Sequence, residues 1–166
     1  MHLARRAWCR TYQTVFRIAL PILPYTEPRI LEHAEDVPTV LQKRSIQKVL
    51  IETDPGIARL GLTASLEHAL TAQGIGVTVY AETRANPTVS NVEEAASLYR
   101  ESACQAIIGF GGGSAMDCAK GVGARVAQPS KPINKMRGLL RVHRLLPLLI
   151  SVPTTAGTGS EVTLAA

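Results

Sequence analysis

At 166 residues, 46% hydrophobic and 19% charged, the chain is long enough for one well-buried domain and too apolar for a disordered one. Its formal net charge of +5 is spread without a dense basic block or interleaved aromatics, so it reads as a solvated surface and not as a nucleic-acid footprint. No apolar run is long enough to span a membrane.

The first segment, residues 1–27, carries Arg5, Arg6, Arg10 and Arg17 and no acid before Glu27. Trp8, Tyr12, Val15, Phe16, Ile18, Ala19 and Leu20 fall between the arginines at roughly helical spacing. A helix packed on its own domain or on a partner subunit, a transit peptide and a membrane-surface helix all share this pattern. A secretory signal is not expected, because no small-residue cleavage pattern follows. Pro21, Pro24 and Pro28 close the segment, and the one folded domain is expected over residues 28–166.

Beyond the prolines, Arg29 to Leu31 reads as an extended piece and Val37 to Lys43 as a short helix. Lys48 to Thr53 (KVLIET) is a β-type apolar run. Asp54 then suits an N-cap, with Pro55 at the first helical position. Ile57, Leu60, Leu62, Leu66, Ala69 and Leu70 supply one apolar helical face before Gly74. IGVTVYAE is the next strand, Asn86-Pro87-Thr88 a turn, and VSNVEEAASLYRES a helix with Val92, Ala95, Ala96 and Tyr99 inward. QAIIGF is the third strand, followed by glycines and a helix from about Ala115 to Val126. A connection from Gln128 to Arg144 holds two prolines and five basic residues, and LPLLISV is a last buried strand. Strands alternating with helices predict an α/β fold, a Rossmann-like parallel sheet with helices on both faces. In such sheets ligands sit beyond the carboxyl ends of the strands, where both glycine-rich loops fall.

The first of these loops is Gly111-Gly112-Gly113-Ser114. Glycines there allow positive φ and close ligand approach, Ser114 suits a helix cap, and Asp117 sits where a capping-box acid belongs. The exposed N–H groups of such a turn bind a phosphate anion, but a capped strand–helix turn explains the same residues. Neither a Rossmann G-x-G-x-x-G fingerprint nor a P-loop is present, since Ser114 stands at the last glycine position and no Lys-Ser/Thr pair follows. The second loop, PTTAGTGSEVT, gathers Thr154, Thr155, Thr158, Ser160 and Thr163 around Gly157 and Gly159. Hydroxyls there donate to phosphate or ribose oxygens. Two such loops at one sheet edge suggest an extended phosphate-bearing ligand.

Cys9, Cys104 and Cys118 are odd in number and lack a CxxC pair, which argues against a disulfide framework or a zinc site. They favour a reducing compartment. A cytoplasmic location is therefore expected, with organellar import through the basic N-terminus as the alternative. His2, His33, His68 and His143 are scattered, with no i,i+4 metal pair.

GGGSAMDCAKG and PTTAGTGSEVT together resemble the paired signatures of the iron-containing (group III) alcohol dehydrogenase family. ETD at Glu52–Asp54 and NPT at Asn86–Thr88 match family positions in the same order. The resemblance implies an α/β domain that binds NAD(P), followed by a helical domain that holds Fe²⁺ or another divalent metal. It implies that Gly112, Gly113 and Ser114 take the pyrophosphate, and that Thr154, Thr155 and Thr158 line the cofactor cleft with Thr163 nearby. Asp54 is implied to face the adenosine ribose, which favours NAD over NADP, and Asn86 to approach the cofactor from the next loop. Asp117 is similar to the family's aspartate in that helix, though capping would also explain it.

In the family the metal ligands, an aspartate and three histidines, follow the threonine-rich loop, and this sequence stops at Ala166. The chain is therefore expected to be the cofactor-binding half of an enzyme acting on a small alcohol or carbonyl substrate, inactive alone. It is also expected to form a homo-oligomer or self-associate through surface that the helical domain would cover. A non-catalytic nucleotide-binding module acting through protein association is the alternative.

Overall fold

The computed structural model describes Arg10, residues 28–138 and residues 141–162. The helix expected within residues 1–27, Arg10 apart, and Thr163 lie outside the described residues. The chain divides into two units, Met1–Ile30 and Leu31–Ala166, and the second carries the sheet.

Four parallel strands form that sheet: β1 (Lys48–Glu52), β2 (Gly76–Tyr80), β3 (Ala106–Gly111) and β4 (Leu148–Pro153). Their order is β2-β1-β3-β4. The chain thus steps from β1 to one side, then returns to the other side for β3. That reversal opens a crevice between the carboxyl ends of β1 and β3, where α/β sheets receive ligands. Glu52 pairs with Gly109 across these strands, so Asp54 and Gly111 stand opposite each other at the crevice.

Helices cover both faces: α1 (Val37–Lys43), α2 (Pro55–Arg59), α3 (Ala64–Ala72), α4 (Val89–Glu101) and α5 (Gly113–Ala127). On one face Leu50 and Ile107 pack with Val92, Ala95 and Val122 of α4 and α5. On the other, Val49, Ile51 and Ile108 pack with Leu41, Leu66 and Leu70 of α1 and α3. Both neighbours of β1 and both faces are covered, so Val49, Leu50 and Ile51 are fully buried. Each such side chain contributes roughly 1.5–3 kcal/mol over its exposed state. The continuous apolar run of β1 and β3 is what a buried parallel strand requires.

Local signals hold at the starts of α2 and α4. Asp54 Oδ1 accepts from the N–H groups of Gly56 and Ile57 at 2.8 and 3.0 Å, with Pro55 opening α2. Thr88 and Asn91 form a reciprocal capping box on α4, and Val92, Ala95, Ala96 and Tyr99 face inward.

Two expectations are corrected. The apolar face expected from Ile57 to Leu70 belongs to two helices, because the chain turns at Gly61 with φ +64°. Leu60 and Leu62 sit in that turn and are exposed, leaving Leu66 and Leu70 to bury α3. β4 is half-buried and not buried, because it lies at the sheet edge with β3 as its one strand partner.

Candidate functional site

A cleft of about 620 Å³ opens at the carboxyl edge of the sheet. Its walls come from four segments: Asp54 to Gly56 after β1, Thr83 to Ala85 after β2, Gly112 to Ala115 after β3, and Thr155 after β4. Arg59, one turn along α2, also borders it. Five residues expected at the site therefore meet here: Asp54, Gly112, Gly113, Ser114 and Thr155.

The glycine turn is shaped by two different needs. Gly111 has φ +146°, a conformation L side chains rarely adopt, and a Cβ there would also meet Ala115 Cβ at 3.1 Å. Gly113 is needed for closeness: a Cβ would come within 3.1 Å of Ser160 Oγ and 3.2 Å of Thr158 Cβ. At Gly112 the neighbour would be Thr155 Oγ1, at 3.4 Å. The glycine turn and the threonine loop are thus packed against each other. Thr154 N–H adds a hydrogen bond to the Gly111 carbonyl at 2.9 Å.

Helix α5 starts earlier than expected, with Gly112 as its N-cap residue and no side chain capping it. Ser114 is therefore inside the helix and does not cap it. Its Oγ instead accepts from the Asn86 N–H at 3.4 Å. Asp117 does not complete a capping box either; it pairs with Lys120 of the same helix at 3.1 Å. Gly113, held against Ser160 and Thr158 of the threonine loop, is already helical, so the helix begins one residue before Ser114. A first turn without a side-chain cap leaves its N–H groups and the positive end of the dipole directed at the cleft. Such an end receives a phosphate anion.

Asn86 holds φ +58°, which asparagine tolerates better than most residues, and it reaches the glycine turn through its backbone. The cleft wall on that side is formed instead by Thr83, Arg84 and Ala85. Thr154 and Thr158 contact the glycine turn without lining the cleft, and Asp117 lies away from it.

Sequence reasoning missed Arg59, Thr83 and Arg84. A signal existed for Arg59: four residues after Pro55 on a helix starting at the sheet's carboxyl edge, it rises beside the crevice. It also missed Glu52, the inward-facing last residue of β1, which is fully buried. Glu52 Oε1 accepts from Thr83 Oγ1 at 3.3 Å, and the Cys118 thiol of α5 also bonds the carboxyl. Burial outweighs both bonds and pushes its pKa up to about 7. Nearby, burial raises Tyr80 to about 12, while its hydroxyl donates to Glu94 at 2.9 Å.

Among the described residues no group of three His, Cys, Asp or Glu side chains could hold a metal ion. No described helix is long and apolar enough to cross a membrane.

A profile of the family described as iron-containing alcohol dehydrogenase matches residues 30–166. The chain is 37% identical over 122 residues to the probable alcohol dehydrogenase EutG of Salmonella typhimurium, covering 74% of this chain and 31% of the relative. Among solved structures, the alcohol dehydrogenase from Oenococcus oeni is similar with a TM-score of 0.73 and 33% identity, over 78% of this chain and 34% of that one. The sulfoacetaldehyde reductase from Bifidobacterium kashiwanohense, solved in complex with NAD⁺, is similar with a TM-score of 0.70 and 28% identity, over 84% and 38%. The chain thus spans about a third of the length of the relatives it matches.

Proposed function

The chain belongs to the iron-containing alcohol dehydrogenase family, and from that membership we propose that it forms the NAD-binding part of a metal-dependent alcohol dehydrogenase. The reaction would interconvert a small alcohol with its aldehyde or ketone. The observation that carries this reading is the meeting of Asp54, the uncapped glycine turn and Thr155 on one cleft at the sheet's switch point. The absence of Cβ atoms at Gly112 and Gly113, hard against the threonine loop, suits a cradle for a pyrophosphate.

In this reading the first-turn N–H groups of α5 donate to pyrophosphate oxygens, and the Thr155 hydroxyl donates beside them. Asp54 Oδ1 is engaged in capping α2, which leaves Oδ2 to accept from an adenosine ribose hydroxyl. A carboxylate there repels a 2′-phosphate, so NAD is preferred to NADP. NAD, when bound, supplies the nicotinamide that takes up hydride from the alcohol carbon. The described residues do not fit a metal ion. The chain by itself is proposed to bind cofactor without turnover, in a reducing compartment suited to the free thiols of Cys104 and Cys118.

A second reading, a nucleotide-binding module that works through protein association, draws on Leu145 and Leu146, which are exposed side by side. Both readings require nucleotide binding and expect no turnover from the chain alone; a partner captured through Leu145 and Leu146 would favour the second. The test is calorimetric titration of NAD, with an absorbance assay for NADH using several small alcohols and Fe²⁺. Binding without NADH is the expected result. Failure to bind NAD or NADP would overturn the cofactor reading, and NADH formation would overturn the claim that the chain alone is inactive.

A further inference from the structure

The three segments that wall the cleft after β1, β2 and β3 converge on one side chain beneath it. Glu52 ends β1, two residues before Asp54, and is fully buried. Its Oε1 accepts from Thr83 at 3.3 Å, the residue that starts the Thr83–Ala85 wall. The Cys118 thiol reaches it from α5, the helix whose first turn forms the glycine wall. Oε2 is buried with no hydrogen-bond partner among the described residues. An apolar residue would fill this strand position at no polar cost, so a carboxyl there with one oxygen unsatisfied requires a reason.

We propose that Glu52 is a positioning residue that couples the Thr83–Ala85 wall to the glycine turn, and that its proton sets how tightly the cleft holds an anionic dinucleotide. This rests on the reading of the cleft as the cofactor site. In the neutral acid, Oε1 keeps the Thr83 hydrogen bond and the buried end of β1 adds no charge near the cleft. Loss of the proton leaves an unscreened negative charge under an anion site, where it opposes the pyrophosphate and draws water toward Oε2. Binding and protonation are then linked: whatever favours the neutral acid favours the dinucleotide, and the reverse.

The groups around Glu52 leave it as the residue that titrates near neutrality. Cys118 faces it from α5 and is raised far above the ordinary thiol range by burial and by Glu52 itself. Tyr80, its register partner on β2, is pushed up to about 12 and points its hydroxyl to Glu94 and Asn91 of α4. From β3 its register partner is Gly109. Thr83 faces it from the loop, and Glu82 and Arg84 on either side of Thr83 are exposed. Among the described residues no histidine lines the cleft.

The test is an NMR titration of the full chain, tracking the amides of Thr83, Arg84, Gly112 and Ser114. They are expected to share one midpoint, at about 7, with the Glu52 carboxyl, and to lose that titration in Glu52→Gln. Amides that titrate separately, or unchanged in Glu52→Gln, would overturn the proposal. Should Glu52→Gln not fold, Thr83→Val decides: loss of the hydrogen bond should move the midpoint upward, and an unmoved midpoint counts against the coupling. In calorimetry the wild type should bind NAD about five-fold more tightly at about pH 6 than at about pH 8, with the difference abolished in Glu52→Gln. NAD affinity that is independent of pH overturns the link to binding. A chain whose amides titrate together but which binds no NAD upholds the coupling of the two walls and overturns the cofactor reading instead.

Discussion

Asp54 Oδ1 satisfies two backbone N–H groups of α2, while Oδ2 lies 3.5 Å from where a Cβ on Gly111 would sit. The residue therefore joins helix capping to the cleft, and Asp54→Gly should have two separable effects. Chemical denaturation should register only a few tenths of a kcal/mol, because glycine is a fair N-cap. Calorimetry should show a narrowed preference for NAD over NADP, and an unchanged preference would remove Asp54 from the ribose. At Gly113, alanine would push on Ser160 and Thr158 and shift the threonine loop. Gly113→Ala should weaken NAD binding about tenfold or more while leaving the helical circular dichroism intact. The capping role of Asp54 was legible because Asp-Pro after an apolar run is a local signal. The role of Ser114 was not. Whether it caps depends on where α5 begins, and α5 begins at Gly113, packed on a threonine loop some 40 residues on, a contact that no local pattern announces.

Elements obey the same division between local and distant causes. β1, β3 and α4 were legible because buried parallel strands are continuous apolar runs and α4 has a 3.6-residue apolar period. The break between α2 and α3 was hidden because leucines continue the apolar pattern through Leu60 and Leu62, although both face solvent. Thr88→Ala should remove the capping box of α4 and cost about 1 kcal/mol in denaturant unfolding. β1 carries a pH signature of its own through Glu52, whose folded pKa of about 7 exceeds the ordinary 4.5. The folded state therefore binds this proton more tightly than the unfolded state. That contribution to stability is full below about 4.5 and is lost as pH rises through about 7. The wild type should lose stability relative to Glu52→Gln across this interval, measured as the difference between their melting temperatures. A constant difference would contradict the shift. Nothing in the residue type alone announces such burial; its inward phase in an apolar strand was the available clue.

For the whole molecule, the sheet order and the family likeness converge on the same crevice, since the strand reversal lies between the segments carrying Asp54 and the glycine turn. The parallel α/β class was legible from alternating periods, and the pairing of the two loops from their shared place after β3 and β4. The cleft's third wall was not, because Thr83 to Ala85 carry no glycine or motif signal and reach the site through the fold alone. We propose self-association through a surface that includes Leu145, which is 97% exposed. Light scattering at high concentration should show species larger than a monomer, reduced by Leu145→Asp; a clean monomer would count against it. The central claim is that these residues form an NAD site, and paired calorimetric titrations of NAD and NADP with the full chain test it most directly. The account predicts saturable NAD binding that is tighter than NADP binding and weakened by Gly113→Ala. No heat of binding from either dinucleotide, or equal affinity in wild type and Gly113→Ala, would contradict it.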